Sequence, residues 1–177
     1  MIKKHFEQSA SYNKWANARL YAVALDLPED LYRKPTGIFF GSLHGTLNHL
    51  LLTDRLWLKR LTGEGEDVPN RLDAILFADR QDLARARQIE DRRIIDVING
   101  YDDQTLTEPF KYSNSSGKQF EQPLCDVLSH LFNHQTHHRG HAHSCLSILT
   151  GQEPPSLDLL AMQRGVAAPD ILAMLRS

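Results

Sequence analysis

Cysteine is nearly absent, with Cys125 and Cys145 alone in 177 residues, so no disulfide framework supports this fold. Both fall on one segment with a helical pattern, where their twenty-residue separation corresponds to about 30 Å, beyond the reach of an intrachain bridge. Long apolar runs are missing as well. No stretch approaches the roughly 20 uninterrupted apolar residues of a membrane span, and the opening Met1-Ile-Lys-Lys-His-Phe-Glu lacks the core of a signal peptide. A soluble, cytoplasmic protein with no membrane partner is expected. Charge of one sign is also lacking: 20 basic residues are interspersed with 22 acidic ones, for a net charge of −2. That balance argues against nucleic acid as a partner. Internal repeats and low-complexity segments are absent.

What is present is helical periodicity. With 41% hydrophobic residues, the chain is long enough for one domain with a real core, spanning 1–177. Ala16, Leu20, Val23 and Leu27 form a single stripe on a helix from about Lys3 to Leu27, closed by Pro28. Residues 28–41 read as a connector leading to Ser42, an N-cap for a second helix from Leu43 to Leu61. Leucines 43, 47, 50, 51, 52, 56, 58 and 61 surround that helix, which places it centrally and means that a polar group on it needs a reason. A third helix, about Asp79 to Asn99, carries charges whose pattern implies a solvated face and nothing more. Residues 110–122 read as two short strands around a Ser-Asn-Ser-Ser-Gly turn. A fourth helix runs from near Pro123 to about Leu149, before Gly151 and Pro154-Pro155. The tail from Ser156 holds a short helical stretch at most.

Six of the nine histidines lie between His130 and His143. At about 100° per residue, with His134 at zero, His138 falls near +40°, His130 near −40°, His141 near −20° and His137 near −60°, while His143 points the opposite way. Histidines four apart stack one turn above another and can converge on an ion at about 2.0 to 2.1 Å. Three pairs satisfy the spacing: 130/134, 134/138 and 137/141. One helix rarely completes such a site, and His49 on the leucine-rich second helix is the best third ligand. His5 and His44 read as surface or core residues without a ligand role.

Three segments carry a family resemblance. Asn133-His-Gln-Thr-His-His-Arg-Gly140 resembles the histidine motif of DinB-like proteins, a bacterial family named for DNA-damage inducibility. Gly41-Ser-Leu-His-Gly-Thr-Leu-Asn-His49-Leu-Leu-Leu-Thr-Asp-Arg-Leu-Trp57-Leu resembles its second-helix motif, and Tyr12-Asn-Lys-Trp15-Ala-Asn17 its first-helix signature. The resemblance spans about residues 5–150. It implies an all-α fold, an antiparallel four-helix bundle, often assembled as a homodimer, to which the residues add the short β-hairpin before the last long helix. It also implies a divalent metal held by one histidine of the second helix and two of the fourth, which here are His49, His134 and His138. His141 departs from the family pattern, where glutamine commonly follows the Arg-Gly step.

Three neutral imidazoles leave an ion its full charge and an open coordination position, the arrangement of catalytic rather than closed structural zinc. Zinc or nickel suits such ligands best, and iron or manganese is also compatible. Relatives in the superfamily include transferases that use low-molecular-weight thiols, so the expected activities are thiol transfer or hydrolysis; the alternative is a non-catalytic metal protein in which the ion stabilises or regulates a dimer. No general base is evident: Asp54 lies about 140° round the helix from His49, and Asp126 is about 12 Å from His134 by helical rise. Asn13 shares the interior stripe of the first helix and reads first as a polar residue bonded to a neighbour, second as a support for a ligand. Trp15 and Trp57 read as packing or dimer-contact residues, and Arg139 first as a surface residue, second as a holder of an anionic substrate. Gly140 suggests a close helix approach, and Cys145 is a buried inert thiol.

Overall fold

The computed structural model describes residues 1–114 and 116–176. Four long helices dominate it: α1 (Ile2–Asp26), α3 (Leu43–Thr62), α4 (Arg80–Gly100) and α5 (Leu124–Thr150). Between them lie the short α2 (Glu29–Arg33), a 3-10 turn (Thr105–Thr107) and a hairpin of β1 (Pro109–Ser113) and β2 (Gln119–Pro123). The short α6 (Leu159–Gln163) and α7 (Ile171–Met174) follow. The strands pair antiparallel, Tyr112 facing Phe120. Most expected boundaries agree to within two residues. Two segments are more helical than expected: the connector holds α2, which buries Tyr32, and the tail holds two short helices, the second of which buries Ile171.

Side-chain oxygens start two of the long helices. Ser42 accepts from the Gly45 amide at the head of α3, and Asp79 accepts from Gln81 and Asp82 at the head of α4, satisfying donors that have no partner within the helix. In the bundle α1 packs on α4 and α5, and α3 packs on the same two. The cross-helix contacts fix the directions. Lys3 meets Asn99 while Asn13 meets Asp91, and Trp57 meets His130 while His49 meets His138, so α1–α4 and α3–α5 run antiparallel. Phe6 meets Phe132 while Asn13 meets Arg139, and Asp54 meets Arg87 while Thr62 meets Arg93, so α1–α5 and α3–α4 run side by side in the same direction. Residues 63–79 must therefore travel back along the length of α3 before α4 begins.

The apolar core is in two parts. One gathers Leu20, Tyr21, Leu47, Leu51, Leu83 and Leu146; the other gathers Phe6, Trp57, Leu58, Ile94, Leu128 and Leu131. Between the halves the four long helices contribute a buried polar layer. Arg87 donates to Asp54 at 2.6 Å and pairs with Asp91 at 3.1 Å. Asn13 and Asn17 donate to Asp91, Gln135 donates to Asp54, and Arg139 donates to Asn13 and Asn17. All seven residues are at most 2% exposed.

Two sequence expectations are corrected here. The charges of α4 are not confined to a solvated face, because Arg87, Glu90 and Asp91 are buried. Arg139 is not a surface residue: at 2% exposure it lies in this layer, where asparagine oxygens replace its hydration. The periodicity of α4 could not reveal this, since an arginine and an aspartate can face inward when each neutralises the other. Asn13 follows its simpler reading, bonded to neighbours. Gly140 is exposed, and a Cβ added there would meet nothing within 4 Å, so no close helix approach requires it.

Candidate metal centre

The α3–α5 interface brings His49, His134 and His138 together. One ligand nitrogen from each lies within 4.8 Å of the other two, and the ring centroids are 5.2 Å (49–134), 4.4 Å (134–138) and 4.5 Å (49–138) apart. His49 sits on the second turn of α3 and is 2% exposed; the other two are half-buried. The local reason is the i, i+4 spacing on α5, which stacks two imidazoles on the face turned toward α3.

Protonation follows from the partners. His49 Nδ1 is 2.8 Å from the carbonyl oxygen of Leu72. A carbonyl only accepts, so Nδ1 carries the proton and Nε2 is left as a lone pair. That Nε2 is 3.3 Å from Nε2 of His134, and about 3.3 Å is the separation of two ligands around a tetrahedral ion with bonds of about 2.0 to 2.1 Å. Burial, reinforced by His49 and neighbouring histidines, pushes His134 down to about 4. Burial, then His134 and His49, pushes His138 down to about 3. His49 is also lowered, chiefly by burial, against the opposing pull of Leu72. Nδ1 of His134 and of His138 is buried without a hydrogen-bond partner. Three imidazoles held neutral by burial, with one nitrogen of each converging, fit a divalent transition metal, which would replace the proton that His134 Nε2 shares with His49 Nε2.

Three residues that the sequence did not single out shape this centre. Asn48, fully buried, accepts from the amides of Leu76 and Phe77 at 2.8 and 3.0 Å. It thereby pins the 63–79 segment on α3, and with it the Leu72 carbonyl. Phe40 stacks on His49 with centroids 3.7 Å apart and meets His138 edge-on at 5.4 Å. Gly45 makes this possible, because a Cβ there would collide with the Phe40 carbonyl oxygen. The available signals were a lone asparagine amid leucines and a glycine inside a helix, each of which needs a tertiary partner to be understood.

The remaining expected residues sort by environment. His130 is exposed and packs on Trp57 with centroids 5.3 Å apart; it does not join the trio. His137 and His141 form a second group with His138. His143 points away and donates from Nε2 to the Pro155 carbonyl at 3.1 Å. His44 is bonded to Tyr32 and Asn48 within the core, and His5 is exposed. Asp54 is held by Arg87 and Gln135, Asp126 is exposed at the start of α5, and neither histidine group includes a carboxylate. Trp15 and Trp57 are both buried, with Trp15 Nε1 donating to Val166. Cys145 is fully buried beside Thr36, and burial pushes its thiol up.

Known proteins resemble this chain in sequence. Over 137 residues it is 26% identical to Protein DinB of Bacillus subtilis (strain 168), an alignment covering 73% of this chain and 77% of that protein. No solved structure matches it. The family model of the DinB family matches residues 1–169, nearly the whole chain including all three histidines of the α3–α5 trio, and the chain belongs to the DinB family.

Proposed function

We propose that this protein is a metal-dependent enzyme that holds zinc or nickel, with iron or manganese as further fits, through His49, His134 and His138, leaving a coordination position for substrate. The observation that carries this reading is the 3.3 Å approach of the His49 and His134 Nε2 atoms from two different helices. The proton on His49 Nδ1 is already committed to Leu72. Bound by three neutral imidazoles, such an ion supplies Lewis acidity that lowers the pKa of a water or thiol reaching its open position.

The chain's own residues favour thiol transfer over hydrolysis. Hydrolysis gains from a general base within hydrogen-bond reach of the attacking water, and Asp54 is occupied by Arg87 and Gln135. A low-molecular-weight thiol, once acidified, is a nucleophile without further help. Phe40 lies over the His49 ring, and Phe39 beside it is 87% exposed, giving the centre an apolar rim for an electrophile. The test is turnover of a panel of electrophiles and thiols by protein reconstituted with zinc or nickel. Conversion that disappears in the His134→Ala, His138→Ala variant is expected; no conversion by protein carrying a full complement of metal would sink the enzymatic reading.

One observation favours a second reading, a non-catalytic metal protein. The trio ties α3 to α5, and through Leu72 to residues 63–79, so a bound ion would clamp three segments. That version requires a large rise in thermal stability on metal addition with no turnover in the same panel.

A further inference from the structure

His137 and His141 are left over by the trio, yet they are arranged like ligands. They lie one turn apart on α5 with ring centroids 4.4 Å apart, and the His138 ring is 4.8 Å from His137 and 5.2 Å from His141. One ligand nitrogen from each of the three lies within 4.8 Å of the others. His137 is exposed, and His138 and His141 are half-buried, so this group stands on the solvent side of the inner trio. A second observation points to a ligand: Nδ1 of His141, like Nδ1 of His138, is buried with no hydrogen-bond partner. Leaving a buried nitrogen unpaired is unfavourable, and an ion would offset that cost.

His138 belongs to both groups. A neutral imidazole has one lone pair, so His138 serves one ion at a time, and the two groups compete for it. An ion held by His137, His141 and His138 needs to keep only one ligand, His138, as it exchanges the outer pair for His49 and His134. We propose that His137, His138 and His141 form an outer divalent-metal site, selective for imidazole-seeking ions such as nickel and zinc, that loads the inner trio. The loading role rests on the inner site proposed above; the outer site does not. When the inner trio is filled, the outer pair retains a second ion with two ligands, more weakly.

The test uses nickel or zinc alone as the probe on the full, metal-free chain, with calorimetric titration and stopped-flow uptake. Wild-type protein is expected to bind one tight and one weak equivalent. The His137→Ala, His141→Ala variant should lose the weak equivalent and keep the tight one, filling it more slowly than wild type because the ion is no longer held beside the inner trio. The His49→Ala, His134→Ala variant should still bind one equivalent through the outer group. Binding of a single equivalent by wild type and none by the His49/His134 variant overturns the outer site while the inner reading stands. Equal uptake rates in wild type and the His137/His141 variant overturn loading, and no uptake by wild type overturns both sites. Since His137 is exposed and neither outer histidine carries core packing, circular dichroism of that variant should match wild type.

Discussion

The bundle contains two buried polar regions that meet desolvation in opposite ways. In the layer between the two cores, two arginines and two aspartates cancel one another and draw on Asn13, Asn17 and Gln135 for hydrogen bonds. In the trio, three bases of the same kind face one another, no carboxylate is among them, and burial holds His134 and His138 far below the ordinary histidine value. The layer draws both signs of charge from the chain itself. The trio gains from a cation that the chain does not provide. A polar group with an internal counterpart is therefore read as structural, and a converging set of like bases as a site for something external.

The sharpest way to break this contrast is to remove one internal counterpart. Arg87→Ala leaves Asp54 and Asp91 facing each other without their shared cation, and about 3 to 5 kcal/mol of stability should be lost in urea or guanidinium unfolding. A change below about 1 kcal/mol would mean that the layer does not depend on charge pairing. The His134→Ala, His138→Ala variant should do the reverse. The tightly bound equivalent should be lost in elemental analysis, leaving at most the weak one of His137 and His141, while the metal-free fold keeps its stability, and the gain of about 2.7 kcal/mol that a ligand at a hundredfold its Kd confers should disappear from thermal melts.

Asn48→Ala connects the centre to the path of the chain. Losing the anchor of residues 63–79 is expected to cost about 1 to 2 kcal/mol. It should also weaken metal binding about 10- to 100-fold, because Leu72 no longer orients His49. Unchanged affinity in a competition titration would detach the segment from the site.

The two regions also differ in the sign of their pH dependence. His134 and His138 have folded values depressed below 6.5, so the unfolded chain binds more protons. The metal-free protein should then lose stability as pH falls from about 6.5 toward 4, less so in the double-histidine variant. Asp54 is pushed by burial up to about 7, against the pull of Arg87. Its contribution is fully present below pH 3.8 and declines as pH rises toward 7; Asp54→Asn should remove that decline. Parallel slopes in the variants and wild type would contradict these assignments. The smallest effect is expected at Gly140, where alanine meets open space and should add about 0.5 to 1 kcal/mol with metal content unchanged. Gly45→Ala, by contrast, must displace the Phe40 backbone.

Much of this was legible because it is local. The stripe of Ala16, Leu20 and Leu27, the cap Ser42 and the strands around residues 114–118 follow from short-range pattern. The facing of His138 and the opposed direction of His143 follow from helical angles. The resemblance to DinB-like proteins selected the trio that the structure brings together. What local pattern missed were side chains whose partners are distant in the chain. Arg139 looks solvent-bound until Asn13 and Asn17 of α1 are placed against it, and the charges of α4 look exposed until Asp54 of α3 meets Arg87.

The sequence by itself determined four long helices, a hairpin and a face of α5 crowded with histidines, because 3.6-residue periodicity and capping act within a few residues of one another. Only the tertiary structure decided which histidines meet, which charges are buried and what holds His49 in one protonation form. Those depend on the register between α3 and α5 and on residues 63–79 running back along α3, and no short-range rule encodes either.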